Sequence, residues 1–331
     1  MTAATDDTGL FADLLVRAGL DPGPAPSFTP LTGGLSHRVL RVDGAAGRCI
    51  LRILDPGVSA AGLGVPGRQE IANTAAAARS GVGPRVLGAL DEPAVLVLEF
   101  VEGRTLEARD IADPGTLVRI AAACRRLHAR TPRFGNGFDI FRKAEELLGR
   151  CLRHGLPVPP DYPVRLADLD RIEAALAAAA LPPVPCHNDL LPANFIDDGR
   201  RVRIVDYQLS GMNDPAFELG DIAAEAQLAP DAVEALTAAY FGAESSPRHT
   251  ARVRLNRIAS DFAWTLWFSV HHGLLADTAA TPAFDYGAEA ADKWARAVHA
   301  LDAADFGRLL DRAAGRNAPP AGPAGARPTA P

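Results

Sequence analysis

The sequence predicts an α+β chain in two lobes, a small antiparallel sheet carrying one helix and then a mostly helical lobe. Three observations predict it. Up to about residue 100 the apolar residues come in short, β-branched runs cut by Gly- and Asp-rich turns. From about residue 116 they recur at helical spacing in seven stretches. Between those stretches lies one strand-like segment, Cys186 to Asp206, in which polar residues interrupt an apolar run.

In chain order, Phe28 begins a strand, and Val39–Val42 and Cys49–Leu54 form a hairpin across the turn-rich Asp43–Gly47. A glycine-rich loop follows, then Arg68 to Arg79, which lacks Gly and Pro and suits a helix; Pro84–Leu90 and Ala94–Phe100 return to strand character. The helical stretches are Thr116–Arg130, Phe141–His154, Ala167–Ala180, Glu218–Gln227, Asp231–Phe241, His249–His272 and Gly287–Gly315. The lobes are therefore expected at residues 1–98 and 104–316, joined by a hinge at 99–103. The remainder, 317–331, is nearly all Ala, Pro and Gly and is expected to be a disordered tail.

Composition excludes several function classes. At 331 residues, 48% hydrophobic and 22% charged, the chain has globular proportions and ample core. It contains no apolar run long enough to cross a bilayer, so no membrane insertion is expected. The first thirty residues carry early aspartates and no basic segment before an apolar one, which argues for a cytoplasmic protein. A formal net charge of −6, without a basic block, argues against nucleic acid as a partner. Cys49, Cys124, Cys151 and Cys186 lack metal-ligand spacing and read as buried free thiols. The oligomeric state is left open.

Chemistry concentrates in Cys186-His-Asn-Asp-Leu-Leu-Pro-Ala-Asn194 and in Arg203-Ile-Val-Asp206. Core packing does not account for His187, Asp189, Asn194 and Asp206, because polar groups in apolar surroundings must be satisfied by something. Phosphoryl transfer to an alcohol needs this set: one carboxylate to accept the hydroxyl proton, and an amide and a second carboxylate to hold Mg²⁺ against the phosphates. Asn194 follows Asp189 by the spacing of a kinase catalytic loop, and Asp206 ends a hydrophobic strand as the kinase metal-binding Asp does.

With these residues the sequence resembles the aminoglycoside phosphotransferase and choline kinase superfamily, whose His-x-Asp-x-x-x-x-Asn signature is met by His187, Asp189 and Asn194. The resemblance spans roughly residues 28 to 312. It implies a protein-kinase-like fold, ATP and Mg²⁺ as cofactors, Asp189 as catalytic base, Asn194 and Asp206 as metal ligands, and His187 as a brace for the loop. Upstream, Leu31-Thr-Gly-Gly-Leu-Ser36 joins two strands and would offer the backbone of Gly33, Gly34 and Ser36 to phosphate. Arg52 occupies the strand position of the phosphate-contacting lysine of kinases, with Glu70 as its ion-pair partner. Glu99 and Val101 fall at the hinge, where adenine would meet main-chain atoms.

The stretch Asp206 to Asp221 is similar to bacterial choline and ethanolamine kinases, which implies an acceptor with a hydroxyl and a cationic amine. Trp264 and Trp267 are three residues apart on one helix face, and aromatic cages recognise ammonium groups by cation–π attraction. In that family Glu225 and Tyr286 would complete the enclosure, while Glu289 stands where a second tyrosine is expected. Two alternatives remain open at this point. One is an aminoglycoside or sugar phosphotransferase using the acidic stripe Asp214, Glu218, Asp221 and Glu225. The other is a nucleotide-binding pseudokinase acting through partners.

Overall fold

The computed structural model describes residues 7–31, 36–45, 47–275 and 284–316. Gly33, Gly34 and the tail 317–331 lie outside the described residues. The first lobe is a five-stranded antiparallel sheet of β1 (Ser27–Pro30), β2 (Arg38–Gly44), β3 (Gly47–Ile53), β4 (Val86–Asp91) and β5 (Ala94–Glu99), in the order β1-β2-β3-β5-β4. Side chains alternate across a pleated strand. Cys49 and Leu51 of β3 therefore pack on one face with Val95 and Val97, under the helix α1 (Thr8–Arg17) through its Phe11, Leu14 and Leu15. The other face holds Ile50, Leu96 and Leu98, with Ile71 of α3 (Gly67–Ser80), reached through the short α2 (Pro56–Ala60). Arg52 shares Ile50's face by the same alternation, so it points to the α3 side, where Glu70 stands.

After the short strand β6 (Arg104–Thr105) the chain is helical: α4 (Ala108–Ile111), α5 (Pro114–Arg130), α6 (Ile140–His154) and α7 (Tyr162–Ala177). The polar-punctuated segment then forms three short strands, β7 (Val184–Cys186), β8 (Phe195–Asp197) and β9 (Val202–Ile204), and β10 (Gly211–Asn213) returns to pair antiparallel with β7. The remaining helices are α8 (Pro215–Glu225), α9 (Pro230–Phe241), α10 (Pro247–Leu275), α11 (Tyr286–Leu301) and α12 (Phe306–Ala313). This is the kinase-like, sheet-then-helices architecture that the sequence predicts. Among the described residues, no helix is long and apolar enough to cross a membrane.

Helix α10 runs through the second lobe and is buried along most of its length, including Leu255, Ala259, Phe262, Ala263 and Leu266. It packs against both α8 and α11. A Cβ at Gly220 would fall 2.7 Å from the Arg257 nitrogen and 2.8 Å from the Val253 carbonyl oxygen, so only glycine permits this approach. The approach is what brings Asp221 of α8 against Trp264 of α10.

Four boundaries differ from expectation. The helix expected from Gly287 to Gly315 is two helices broken at Asp302–Asp305, because Phe306, Leu309 and Leu310 of α12 are buried by turning back onto the core. Helix α7 begins five residues early, at Tyr162, which is buried with its ring 4.3 Å from that of Phe262; Pro163 is tolerated in a first turn. Helix α1 was not expected, since its weak local signal is stabilised by packing on the sheet. The single strand expected over Cys186 to Asp206 is three strands around an irregular loop. All four cysteines are buried and free, as expected.

Candidate active site

The loop after β7 is held from behind by a buried acid. Glu218, inaccessible on α8, accepts the backbone N–H groups of His187 and Asn188, each at 2.8 Å. His128 of α5 faces the same carboxylate at 3.3 Å, and its other ring nitrogen meets the Tyr240 hydroxyl at 2.6 Å. Burial would raise the Glu218 pKa, but the hydrogen bond and charge of His128, with His187, hold it below the usual carboxylate range. Cys186, His128 and Glu218 bring potential ligand atoms within 4.8 Å of one another, yet both carboxylate oxygens are already taken by backbone N–H groups, so the cluster acts as a brace. Braced this way, Asn188 adopts φ 66°, a left-handed conformation uncommon outside glycine. Its amide donates to the Leu209 carbonyl at 3.0 Å and accepts from Asn213 at 2.9 Å.

His187 donates from Nε2 to the Val205 carbonyl at 2.9 Å and accepts the Asp189 N–H on Nδ1 at 3.2 Å. Burial lowers its pKa, and both ring nitrogens are occupied by the loop. Asp189 opens onto a cavity of about 590 Å³. Burial first, then the charges of Asp221, Asp206 and Glu225, raise its pKa well above the ordinary value, opposed by Lys293. A carboxyl tuned upward by burial and neighbouring charge in a cleft is a candidate for proton transfer. The Asn194 amide nitrogen donates to the Asp189 carbonyl oxygen at 2.8 Å, leaving its own oxygen as the atom available to a metal.

Arg52 and Asp206 form one end of this cavity. Arg52 is buried, donates to Glu70 at 3.0 Å, and grips Asp206 with both terminal nitrogens, one at 2.8 Å. Burial would raise the Asp206 pKa, but the Arg52 cation outweighs it and keeps the carboxylate ionised. Asp206 has φ 71°, a conformation costly for a non-glycine residue and typical of functional sites. Asn194 and Asp206 present oxygen donors only, the set that suits a hard cation such as Mg²⁺. Ser36 and Gln208 line the same end, joined at 3.2 Å. Glu99 and Val101 do not line the cavity; the Glu99 carboxylate instead accepts from Arg85, just before β4, at 2.7 Å and from Arg203 of β9 at 2.5 Å.

The other end is apolar, lined by Trp264, Trp267, Phe268 and Phe284. Trp264 is anchored by its indole N–H to Asp221 at 3.0 Å, and Asp221 also accepts from Ser260 at 2.8 Å and from the Leu190 N–H at 2.7 Å. One carboxylate thus connects the catalytic loop to the aromatic wall. One expectation is corrected here. Tyr286 does not reach the cavity: it is buried against His271, ring centres 4.8 Å apart, and Phe284 takes its place. Glu225 lines the cavity, but the buried Lys293 neutralises it at 2.6 Å, with Asp261 3.9 Å from the same ammonium. Burial opposes the Lys293 charge, and Glu225 and Asp261 outweigh it, raising its pKa. The acidic stripe is likewise engaged internally: Asp214 caps α8 through the Ala216 N–H at 2.7 Å and pairs with Arg252, while Glu218 and Asp221 hold the loop.

Residues 27–256, which include the loop, Arg52 and Asp206, match the phosphotransferase enzyme family. The chain belongs to this family. A choline/ethanolamine kinase family protein from Mesorhizobium loti is similar in structure, with a TM-score of 0.77, 30% identity, and coverage of 93% of this chain and 99% of that one. Protein LicA of Haemophilus influenzae is 33% identical over 97 residues, 27% of this chain and 36% of LicA. Human ethanolamine kinase 2 is 27% identical over 205 residues, 52% of this chain and 51% of that protein. The chain thus spans about a third to a half of the length of these curated relatives. In this phosphotransferase, the site residues that sequence reasoning missed are His128, Lys293, Phe268 and Phe284. Lys293 left a signal: Lys143 and Lys293 are the only lysines in the chain, and Lys293 lies on α11 where an exposed cation would ordinarily be Arg.

Proposed function

We propose that this phosphotransferase is an ATP-dependent small-molecule kinase that phosphorylates a hydroxyl of choline, ethanolamine or a similar amino-alcohol. The observation that carries the reading is a single cavity lined by Arg52, Asn194 and Asp206, by Asp189, and by two tryptophans. Asp189 would accept the proton of the acceptor hydroxyl as its oxygen attacks the γ-phosphorus; the bond from that phosphorus to the bridging oxygen breaks and ADP leaves. Arg52 would orient the phosphates bidentately, as guanidinium does better than ammonium. Asn194 and Asp206 would hold Mg²⁺, whose charge when bound offsets that of the phosphates. His187 would keep the base in place without taking part in proton transfer. Trp264 and Trp267 would offer π-faces to an ammonium group, a contact worth about 0.5 to 2 kcal/mol.

A pseudokinase reading has less support, because base and metal-ligand residues are all present on one cavity wall. The test is ADP release from ATP and Mg²⁺ against choline, ethanolamine, other amino-alcohols and a set of aminoglycosides. The amino-alcohols should be turned over preferentially. Turnover confined to aminoglycosides, or to none of these acceptors, would overturn the reading.

A further inference from the structure

The carboxylates around the cavity are not equivalent. Asp206 is held by Arg52, Glu225 by Lys293, and Glu107 by Arg109 at 2.8 Å. Asp189 faces the transfer end. Glu289 also lines the cavity that Trp267, Phe268 and Phe284 line, and among the described residues its carboxylate has no hydrogen-bond or ion-pair partner. It is one helical turn before Lys293 on α11, so the two share a helix face. Lys293 is fully committed to Glu225 and Asp261, which leaves Glu289 as the uncompensated charge at the aromatic end.

We propose that Glu289 is the counter-ion of the acceptor's ammonium group and that it selects an ammonium bearing N–H over a fully alkylated one. The inference rests on the amino-alcohol reading above and names the class within it. A carboxylate in the first turn of a helix favours the helix dipole wherever it points, so position alone is not the argument. The argument is desolvation. An acceptor entering this end strips water from the Glu289 oxygens, and those lone pairs must be satisfied again. An N–H ammonium satisfies them with a charge-assisted hydrogen bond, whereas a trimethylammonium covers them with methyl groups. A site built to hydrogen-bond a group discriminates strongly against an analogue lacking it.

The test measures kcat/KM for ethanolamine and its N-methyl, N,N-dimethyl and N,N,N-trimethyl forms, in the wild type and in Glu289→Gln and Glu289→Tyr. The first three keep an N–H and the last has none. The wild type should drop by about ten-fold at the last methylation, the size of one charge-assisted hydrogen bond. Glu289→Gln should flatten that step, and Glu289→Tyr should reverse it toward the trimethyl form. Thermal melting should be unchanged, since the side chain is half-exposed. Turnover of all four acceptors with no step, or a step that survives unchanged in Glu289→Gln, would remove the role of Glu289 and leave the amino-alcohol reading standing. Turnover of none of the four by the wild type would overturn that reading and this inference with it.

Discussion

The two ends of the cavity are built on opposite plans. At the transfer end almost every polar atom has at least one fixed partner. Glu218 takes two backbone N–H groups, both His187 nitrogens are used, and Arg52 bridges Glu70 and Asp206. At the acceptor end the walls are aromatic, Trp267 makes one long hydrogen bond of 3.4 Å, and among the described residues the Glu289 carboxylate has no partner. The first plan fixes geometry, because a fully satisfied polar network in a low dielectric has few alternative arrangements. The second pairs Glu225 with Lys293 and Trp264 with Asp221 but leaves adjustable aromatic surface and, among the described residues, one carboxylate without a partner. Damage at the transfer end should therefore reduce kcat and often stability, while changes at the acceptor end should alter KM for one substrate.

The largest effect should come from Asp206→Ala, which removes a proposed metal ligand and leaves Arg52 with Glu70 alone. A lost metal contact is worth several kcal/mol, so turnover should fall by about 10³-fold, and Mg²⁺-dependent nucleotide affinity should fall with it. An unchanged Mg²⁺·ATP affinity would disprove the assignment. Glu218→Gln replaces an acceptor by a donor beside two N–H groups. It should cost roughly 2 to 3 kcal/mol in denaturant unfolding, the range for hydrogen bonds to a charged group, with a lower kcat as well. A stability equal to the wild type would mean that the loop does not depend on this brace.

At the acceptor end, Trp267→Ala should raise KM for the amino-alcohol by roughly ten-fold, as loss of about 1.4 kcal/mol implies, and leave KM for ATP unchanged. If both KM values rise together, the two ends are not independent. The smallest effect is one of pH. Asp189 acts as a base only when ionised, and its raised pKa places the acid limb of the rate profile above the usual carboxylate range. Lys293 lowers that pKa, so Lys293→Met should move the acid limb to higher pH, with activity lost earlier as pH falls. A limb at the same pH would show that Lys293 does not act on Asp189 electrostatically.

How much of this was legible in the sequence follows the same division. Asp189, Asn194, Asp206 and Arg52 were legible because their chemistry demands fixed residue types at near-fixed spacing, and all four line one cavity. The hairpin and most helices were legible from periodicity. The braces were not: His128 and Glu218 are 90 residues apart, and nothing local marks two such residues as partners. The pairing of Glu225 with Lys293 is not legible either, because Lys293 is 68 residues away on another helix. Tyr286 and Phe284 are two residues apart, and which of them faces the cavity depends on how α11 begins, a matter of packing on His271 that periodicity does not specify.

The most direct measurement of the central claim separates binding from transfer in Asp189→Asn, a change that keeps shape and removes only the base. Calorimetric titration with Mg²⁺·ATP, alongside detection of phosphorylated amino-alcohol by phosphorus NMR, reads both quantities on one protein. If Asp189 is the base, nucleotide affinity matches the wild type and phosphorylated product falls by about 10²- to 10⁴-fold, the contribution of a general base. Product formation near the wild-type rate would contradict it and place the proton transfer elsewhere.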